Sequence, residues 1–321
     1  MRTDPEVVAF SILGRPLAAR GAPPRLAQWL HAYWDYPAPA GPGRPYAIAI
    51  ETVAAAPAAA PGAWTARDVA IPGRTLRFRN TGDTWETGDA GAGLRLELGR
   101  EAATILAWGW AEGGDPDLYH GLYVAVSEAL RASGLVPLHA AVARRGGETV
   151  AWLGTSGVGK STTLLFAVEA GWSPIAEDLC WLEPETLRVD GFDRGVRCWP
   201  ETLERFFPRW QGADVTGDGK RLIDYPRLGS AAGARAGTLS RLCVLGRDLA
   251  GPSRREPVTA RDVVKALWEA TGVPLGDWTR QLSALAVARL SRLPVDRLIL
   301  GNTPPFPPVS GRTAPGQVPG G

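Results

Sequence analysis

The sequence predicts a mixed fold, α/β in its core and α+β overall. A small β-rich front domain precedes a larger unit built around one strand–glycine loop–helix. Three observations predict this. Gly154-Thr155-Ser156-Gly157-Val158-Gly159-Lys160-Ser161 fits G-x-x-x-x-G-K-[ST] without a mismatch, with a β-prone run before it and a helix-length segment after it. Asp117 to Ser133 carries Leu118, Leu122, Val126 and Leu130, four residues apart, and Gly134 can end that helix. Up to about residue 113, short apolar runs alternate with turn-rich segments, as in a small β-rich or α+β domain.

In the front domain, Val7 to Phe10 and Tyr46 to Ile50 read as strands, and Arg25 to Trp34 as a short helix. Thr75 to Phe78 and Leu94 to Leu98 alternate as half-buried strands do, and the Ala/Pro-rich stretch Val53 to Ala63 reads as a loop. Leu135 to Ala143 then reads as one strand, joined by the turn at Arg144 to Glu148 to a second, Glu148 to Leu153, in a hairpin. Lys160 to Ala170 is a helix closed by Gly171. Pro174 to Leu182 reads as a strand, Glu201 to Phe207 as a helix and Leu239 to Leu245 as a strand. Thr259 caps a helix over Ala260 to Ala270, Trp278 to Leu290 is another, and Val295 to Leu300 is a last strand. The expected division is 1–113 for the front domain, 114–301 for the second, and 302–321 for a disordered Pro/Gly-rich tail.

Composition excludes several classes of function. A net charge of +2 over 321 residues points away from nucleic acid or an anionic membrane surface as the main partner. No stretch reaches the roughly 18 uninterrupted apolar residues of a membrane helix, and no basic start leads into an apolar run. Cys180, Cys198 and Cys243 are far apart and have no metal-ligand spacing. So sparse and odd a set suits a reducing cytoplasm.

The glycine loop has a direct chemical reading. Glycines let the backbone wrap a phosphate chain with its N–H groups pointing inward. Lys160 reaches the β- and γ-phosphates of a purine nucleoside triphosphate, and the Ser161 hydroxyl binds Mg²⁺. A helix N-terminus beneath the phosphates favours their charge. Downstream, Glu177 and Asp178 interrupt an apolar strand. Burying two carboxylates is costly unless a cation such as phosphate-bound Mg²⁺ offsets it; the alternative is a solvated turn at the strand end.

Leu138-His139-Ala140-Ala141-Val142, the loop from Gly154 to Thr162, and Ala176-Glu177-Asp178 together resemble the HPr kinase/phosphorylase superfamily. That superfamily shares its nucleotide-binding core with the phosphoenolpyruvate carboxykinases. The specific part is the spacing: His139 lies fifteen residues before the first loop glycine, and the acid pair follows directly on the loop's own helix. The similarity covers roughly residues 115 to 300. It implies an HPr-kinase-like P-loop domain using ATP and Mg²⁺. Gly154 to Thr162 would hold the nucleotide, Ser161 and Glu177 the metal, and Asp178 would be the general base, with Lys160 on the phosphates. His139 would sit beside Asp178 and modulate it; a hydrogen-bonded structural role is its alternative. Relatives form oligomers, so self-association is an expectation.

The chain also departs from that pattern. HPr kinases carry Asp-Asp where this chain has Glu177-Asp178, and an acid where it has Thr162. The glycine-rich signature of the bifunctional kinase/phosphorylases is missing. Val196 to Glu201, Leu242 to Arg247 and Leu293 to Leu298 are instead similar to HPr-kinase-like proteins that act on ribosomally made peptides, the lasso-peptide kinases among them. The expected function is therefore an ATP-dependent kinase for a serine of a peptide or small protein, with the front domain helping to read the substrate. A kinase for an HPr-like carrier protein, a small-molecule hydroxyl kinase and a non-catalytic nucleotide-binding module are the other readings. Arg194, Arg197, Lys220 and Arg221 are candidate phosphate or substrate contacts, or ordinary surface charge.

Overall fold

The structure, a computed structural model, describes residues 7–36, 46–71, 74–110, 116–228 and 235–306. It is mixed α/β, with four sheets and six α-helices among the described residues. No described helix is long and apolar enough to cross a membrane. The chain divides into two compact units: Met1–Leu135 with Pro274–Gln281, and Val136–Val273 with Leu282–Gly321.

The first unit contains β1 (Val7–Ile12), β2 (Arg15–Arg20), α1 (Pro24–Trp34), β3 (Ala47–Thr52), β4 (Thr65–Ile71), β5 (Arg74–Thr81), β6 (Thr84–Gly88), β7 (Gly93–Leu98), β8 (Ala102–Trp108) and α2 (Pro116–Ala132). Its strands form one eight-stranded sheet in the order β1-β2-β3-β8-β7-β6-β5-β4. α1 and α2 match the predicted helices, and the domain boundary moves. α2, read from the sequence as part of the second domain, packs on β7 and β8. The approach is close: a Cβ on Gly121 would lie 2.8 Å from Leu94 Cδ1. Glu128, 2% exposed, accepts the N–H groups of Leu275 (2.8 Å) and Gly276 (3.0 Å) and so ties 274–281 to this unit.

The second unit contains β9 (Val136–Leu138), β10 (Ala140–Arg145), β11 (Glu148–Leu153), α3 (Lys160–Glu169), β12 (Ser173–Ala176), β13 (Cys180–Glu183), β14 (Arg188–Gly191), β15 (Gly195–Cys198), α4 (Pro200–Phe206), β16 (Asp214–Val215), β17 (Arg221–Asp224), β18 (Ala236–Thr238), β19 (Arg241–Arg247), β20 (Arg254–Glu256), α5 (Ala260–Thr271) and β21 (Val295–Leu300). α6 (Asp277–Leu290) ends within it. The central sheet runs β12-β10-β11-β19-β21-β20, with β11, β19 and β21 parallel. A four-stranded sheet (β18-β14-β13-β9) and a three-stranded one (β15-β17-β16) complete it.

The central sheet is buried on both faces, which is why β11 reads as an almost unbroken apolar run. Ala151 and Leu153 point into one core with Leu267 of α5 and Leu290 of α6; Val150 and Trp152 point into the other with Leu164 and Leu165 of α3. The β10–β11 hairpin forms as predicted, pairing Ala140 with Leu153 and Arg145 with Glu148. Thr259 caps α5 by accepting the Asp262 N–H at 3.2 Å.

Three predicted elements change. The strand read over 135–143 breaks at His139, because β9 pairs with β13 and β10 with β11 and β12, in different sheets. The strand read over 174–182 breaks at the acid pair: Glu177-Asp178-Leu179 is a bend between β12 and β13. The tail begins later than 302. Asn302 donates to Gly251 O at 2.9 Å and the Phe306 ring stacks edge-on to Trp152 at 5.9 Å. The rest of the expected tail, 307–321, lies outside the described residues.

Candidate functional site

The glycine loop leaves the end of β11 and enters α3. Gly157 (φ +81°) and Gly159 (φ +117°) occupy backbone space that side chains rarely adopt. Gly159 is the N-cap of α3, and no side chain caps the first turn, so its amides are available to an anion. A Cβ on Gly159 would lie 2.6 Å from Leu300 Cδ1, the movable tip of a side chain, so it is the positive φ that calls for glycine there. The far end of α3 closes through a paired backbone cap, Trp172 N–H to Ala167 O and Gly171 N–H to Val168 O, both 2.9 Å. Leu164, Leu165 and Val168 pack α3 into the core and so set the direction its N-terminus faces.

A cleft of about 630 Å³ opens over the loop. Ser156 to Thr162, Glu177, Asp178, Arg197 and Lys220 line it. Lys160 Nζ donates to Gly154 O at 3.0 Å and stands 3.8 Å from Asp178 Oδ1. Ser161 Oγ donates to Glu177 Oε1. Arg197 faces both acids, with Nε 3.7 Å from Glu177 Oε2 and Nη2 3.9 Å from Asp178 Oδ2. The two acids, adjacent in sequence, have different surroundings. Glu177 is 5% exposed, whereas the Asp178 side chain is 38% exposed and open to the cleft. Glu177 Oε2 is buried and has no hydrogen-bond partner.

Burial pushes the Glu177 carboxyl up to about 7, and the nearby Asp193 carboxylate adds to the rise; the Ser161 hydroxyl and Arg197 oppose it. Burial likewise pushes Asp193 up to about 6, against the pull of the backbone N–H groups of Asp178, Leu179 and Glu177. A raised acid stabilises the fold in its protonated form. Glu177 thus contributes fully below about pH 4.5, its ordinary value, and the contribution is lost as pH rises through about 7. The shift corresponds to about 3 kcal/mol. In the nucleotide-free protein, the melting temperature of Glu177→Gln relative to wild type should therefore climb by about 5 °C between pH 5 and pH 8. Thermal melts across that range check it, and a pH-independent difference would show that Glu177 is not held as a buried acid.

The other predicted residues fall at different distances from this centre. Lys220 lines the cleft with its ammonium 5.2 Å from the ring centroid of the exposed Trp199. Arg221 donates to Ala213 O at 3.1 Å and serves the β16–β17 hairpin; it is not among the cleft-lining residues. Arg194 is exposed and also outside that lining. His139 sits at the β9–β10 break, exposed, with its backbone N–H donating to Ala270 O at 2.8 Å. The β9–β13 register pairs its neighbour Leu138 with Cys180, two residues from Asp178, yet His139 does not line the cleft. Thr155 is exposed at the outer edge of the loop, and its carbonyl accepts the Val158 N–H at 3.3 Å.

Sequence reasoning missed several participants. Arg205 and Phe206 of α4, Arg247 at the end of β19, and Thr303 and Pro305 also line the cleft. Arg247 Nη1 lies 3.4 Å from Gly157 O, directly over the loop. Asp193 was missed as well; its carboxylate holds the backbone of the acid bend. Only Arg247 lies in a run that carries the family resemblance, Leu242 to Arg247, and nothing there points to the cleft; the others arrive from separate loops or element ends. Neither a scan of the chain against protein-family models nor a search among curated proteins finds a match.

Proposed function

We propose that this chain is an ATP-dependent serine kinase that phosphorylates a peptide or small protein, with an HPr-kinase-like nucleotide-binding core. One observation carries the reading. Lys160, Ser161, Glu177, Asp178 and Arg197 meet along the cleft over a glycine loop at a helix N-terminus. Phosphoryl transfer demands positioning, neutralisation of charge and an oriented nucleophile, and these residues supply each of them.

The loop amides and Lys160 bind the triphosphate. Mg²⁺ fits the hard oxygen donors of Ser161 and Glu177. The buried, unpartnered Oε2 of Glu177 is a carboxylate oxygen that lacks a counter-charge closer than Arg197 at 3.7 Å. When bound, the ion neutralises developing phosphate charge. Asp178, reachable from the cleft, accepts the proton of the acceptor hydroxyl. The acceptor oxygen bonds to the γ-phosphorus as the bridging P–O bond breaks, ADP leaves, and the proton passes from Asp178 to water. Arg197 and Lys220 add positive charge on the acceptor side of the cleft. Cytoplasmic location and self-association belong to the same reading.

Intact-mass spectrometry tests it directly. The protein is incubated with Mg·ATP and a serine-bearing precursor peptide encoded beside its own gene, with HPr from the same source in parallel. A phosphate mass gain on the peptide alone is expected. A gain on HPr alone would make this a carrier-protein kinase, and a gain on neither would refute the peptide-kinase reading.

A further inference from the structure

Three consecutive backbone N–H groups end on one side chain in this site. Asp193 Oδ2 accepts from Glu177 N at 2.7 Å, Asp178 N at 2.9 Å and Leu179 N at 3.1 Å, and Oδ1 accepts Leu179 N a second time at 3.3 Å. Successive amides in a strand point in opposite directions, so three that converge on one carboxylate require a bend. Asp193 is thus the template of the turn that separates β12 from β13. Hydrogen bonds to an ionised carboxylate are among the stronger ones in proteins, so the bend is held firmly.

The surroundings hold Asp193 in turn. Its own carbonyl accepts from Arg235 Nη1, and the Arg235 guanidinium lies 4.3 Å from the centroid of the Tyr225 ring. Phe192 N donates to Leu179 O at 2.9 Å, so the two segments are stitched on both sides of the carboxylate. Gly191 lets them touch: a Cβ there would lie 1.8 Å from Ile175 O. The consequence falls on the acids. With the backbone of 177–179 pinned, the Glu177 side chain meets Ser161 and the Asp178 side chain meets Lys160 and Arg197.

We infer that Asp193 is a positioning residue that sets the geometry of the Glu177–Asp178 bend and thereby the rate of phosphoryl transfer. It touches neither nucleotide nor acceptor and acts only through the bend. The rate consequence rests on the kinase reading above; the geometric part does not. Misplacing reacting groups by about 1 Å can cost about 100-fold in rate, whereas phosphate binding by the loop amides and Lys160 does not pass through the bend; only the share that Glu177 would supply through Mg²⁺ does.

The test uses the full chain as wild type, Asp193→Ala and the near-isosteric Asp193→Asn. Hydrogen–deuterium exchange over peptides spanning 176–180 is measured beside melting temperature, affinity for ATP with and without Mg²⁺, and kcat and KM with the peptide that wild type phosphorylates. In Asp193→Ala the amides of 177–179 should exchange at least about 10-fold faster. The kcat should fall about 100-fold while the affinity for ATP without Mg²⁺ moves by less than about 3-fold. Asp193→Asn keeps one accepting oxygen and should lose about 10-fold in kcat. Unchanged exchange overturns the inference. So does a common fall of kcat, affinity for ATP without Mg²⁺ and melting temperature in Asp193→Asn, which is the signature of a residue serving only the fold. If the alanine variant does not fold, the asparagine variant decides. If wild type phosphorylates no acceptor, the kinase reading falls, and the exchange measurements still decide whether Asp193 holds the bend.

Discussion

Lys160→Ala should lower kcat/KM for Mg·ATP-dependent transfer by about 10³-fold, roughly 4 kcal/mol of transition-state stabilisation. The ammonium is the strongest positive charge on the loop, 11% exposed and held by Gly154 O and the Asp178 carboxylate. Removing it takes away the cation that the loop itself supplies to the phosphate oxygens, where charge develops during transfer. The fold should barely respond, because the carbonyl and the carboxylate it leaves behind border the open cleft. Transfer rates and Mg·ATP affinity, measured with a melting curve as control, separate these effects. Phosphotransfer at the wild-type rate would remove the loop from the mechanism.

Asp178→Asn should keep Mg·ATP binding within a few-fold and lose about 10³-fold in kcat, in the range a positioned general base supplies. The substitution preserves shape and removes the ability to take the acceptor proton. It also weakens the ion pairs to Lys160 and Arg197, at 3.8 and 3.9 Å, so a small gain in phosphate affinity through the freed cations is compatible with the assignment. If nucleotide binding is lost instead and the residual rate per bound ATP is normal, Asp178 is a metal ligand, and the base must be sought elsewhere along the cleft.

The two substitutions probe neighbours that the sequence separates by eighteen positions. Each had been legible for a different reason. The loop announces itself because its chemistry is contiguous: glycines, lysine and serine act from one stretch, and the flanking strand and helix are coded by adjacent apolar periodicities. The acid pair was visible as a violation, two carboxylates in an apolar run. Its backbone follows the alternative, a turn at the strand end, because the run is two strands belonging to two sheets, although the turn buries Glu177 instead of leaving it solvated. The single strand read over 135–143 likewise proves to be two, because continuous hydrophobicity hides a change of sheet at His139. Apolar runs report burial, and burial on both faces looks alike in one strand or in two.

Local sequence determined the helices, the β10–β11 hairpin, the glycine loop and the identities of Lys160, Ser161, Glu177 and Asp178. Those features depend on residues a few positions apart, where periodicity, capping and turn chemistry act directly. Only the tertiary structure decided the rest. It assigned α2 to the first unit through packing on β7 and β8, and gave the two acids unequal exposure. It brought Arg197, Arg247 and Pro305 to the cleft and set Arg221 to the β16–β17 hairpin. It also placed Asp193 beneath the acid bend, fifteen residues downstream of Asp178. A carboxylate meets three amides only after β13, β14 and the segment behind them have folded back, and that return is driven by core burial spread across the whole unit. Nothing in the few residues around Asp193 encodes it.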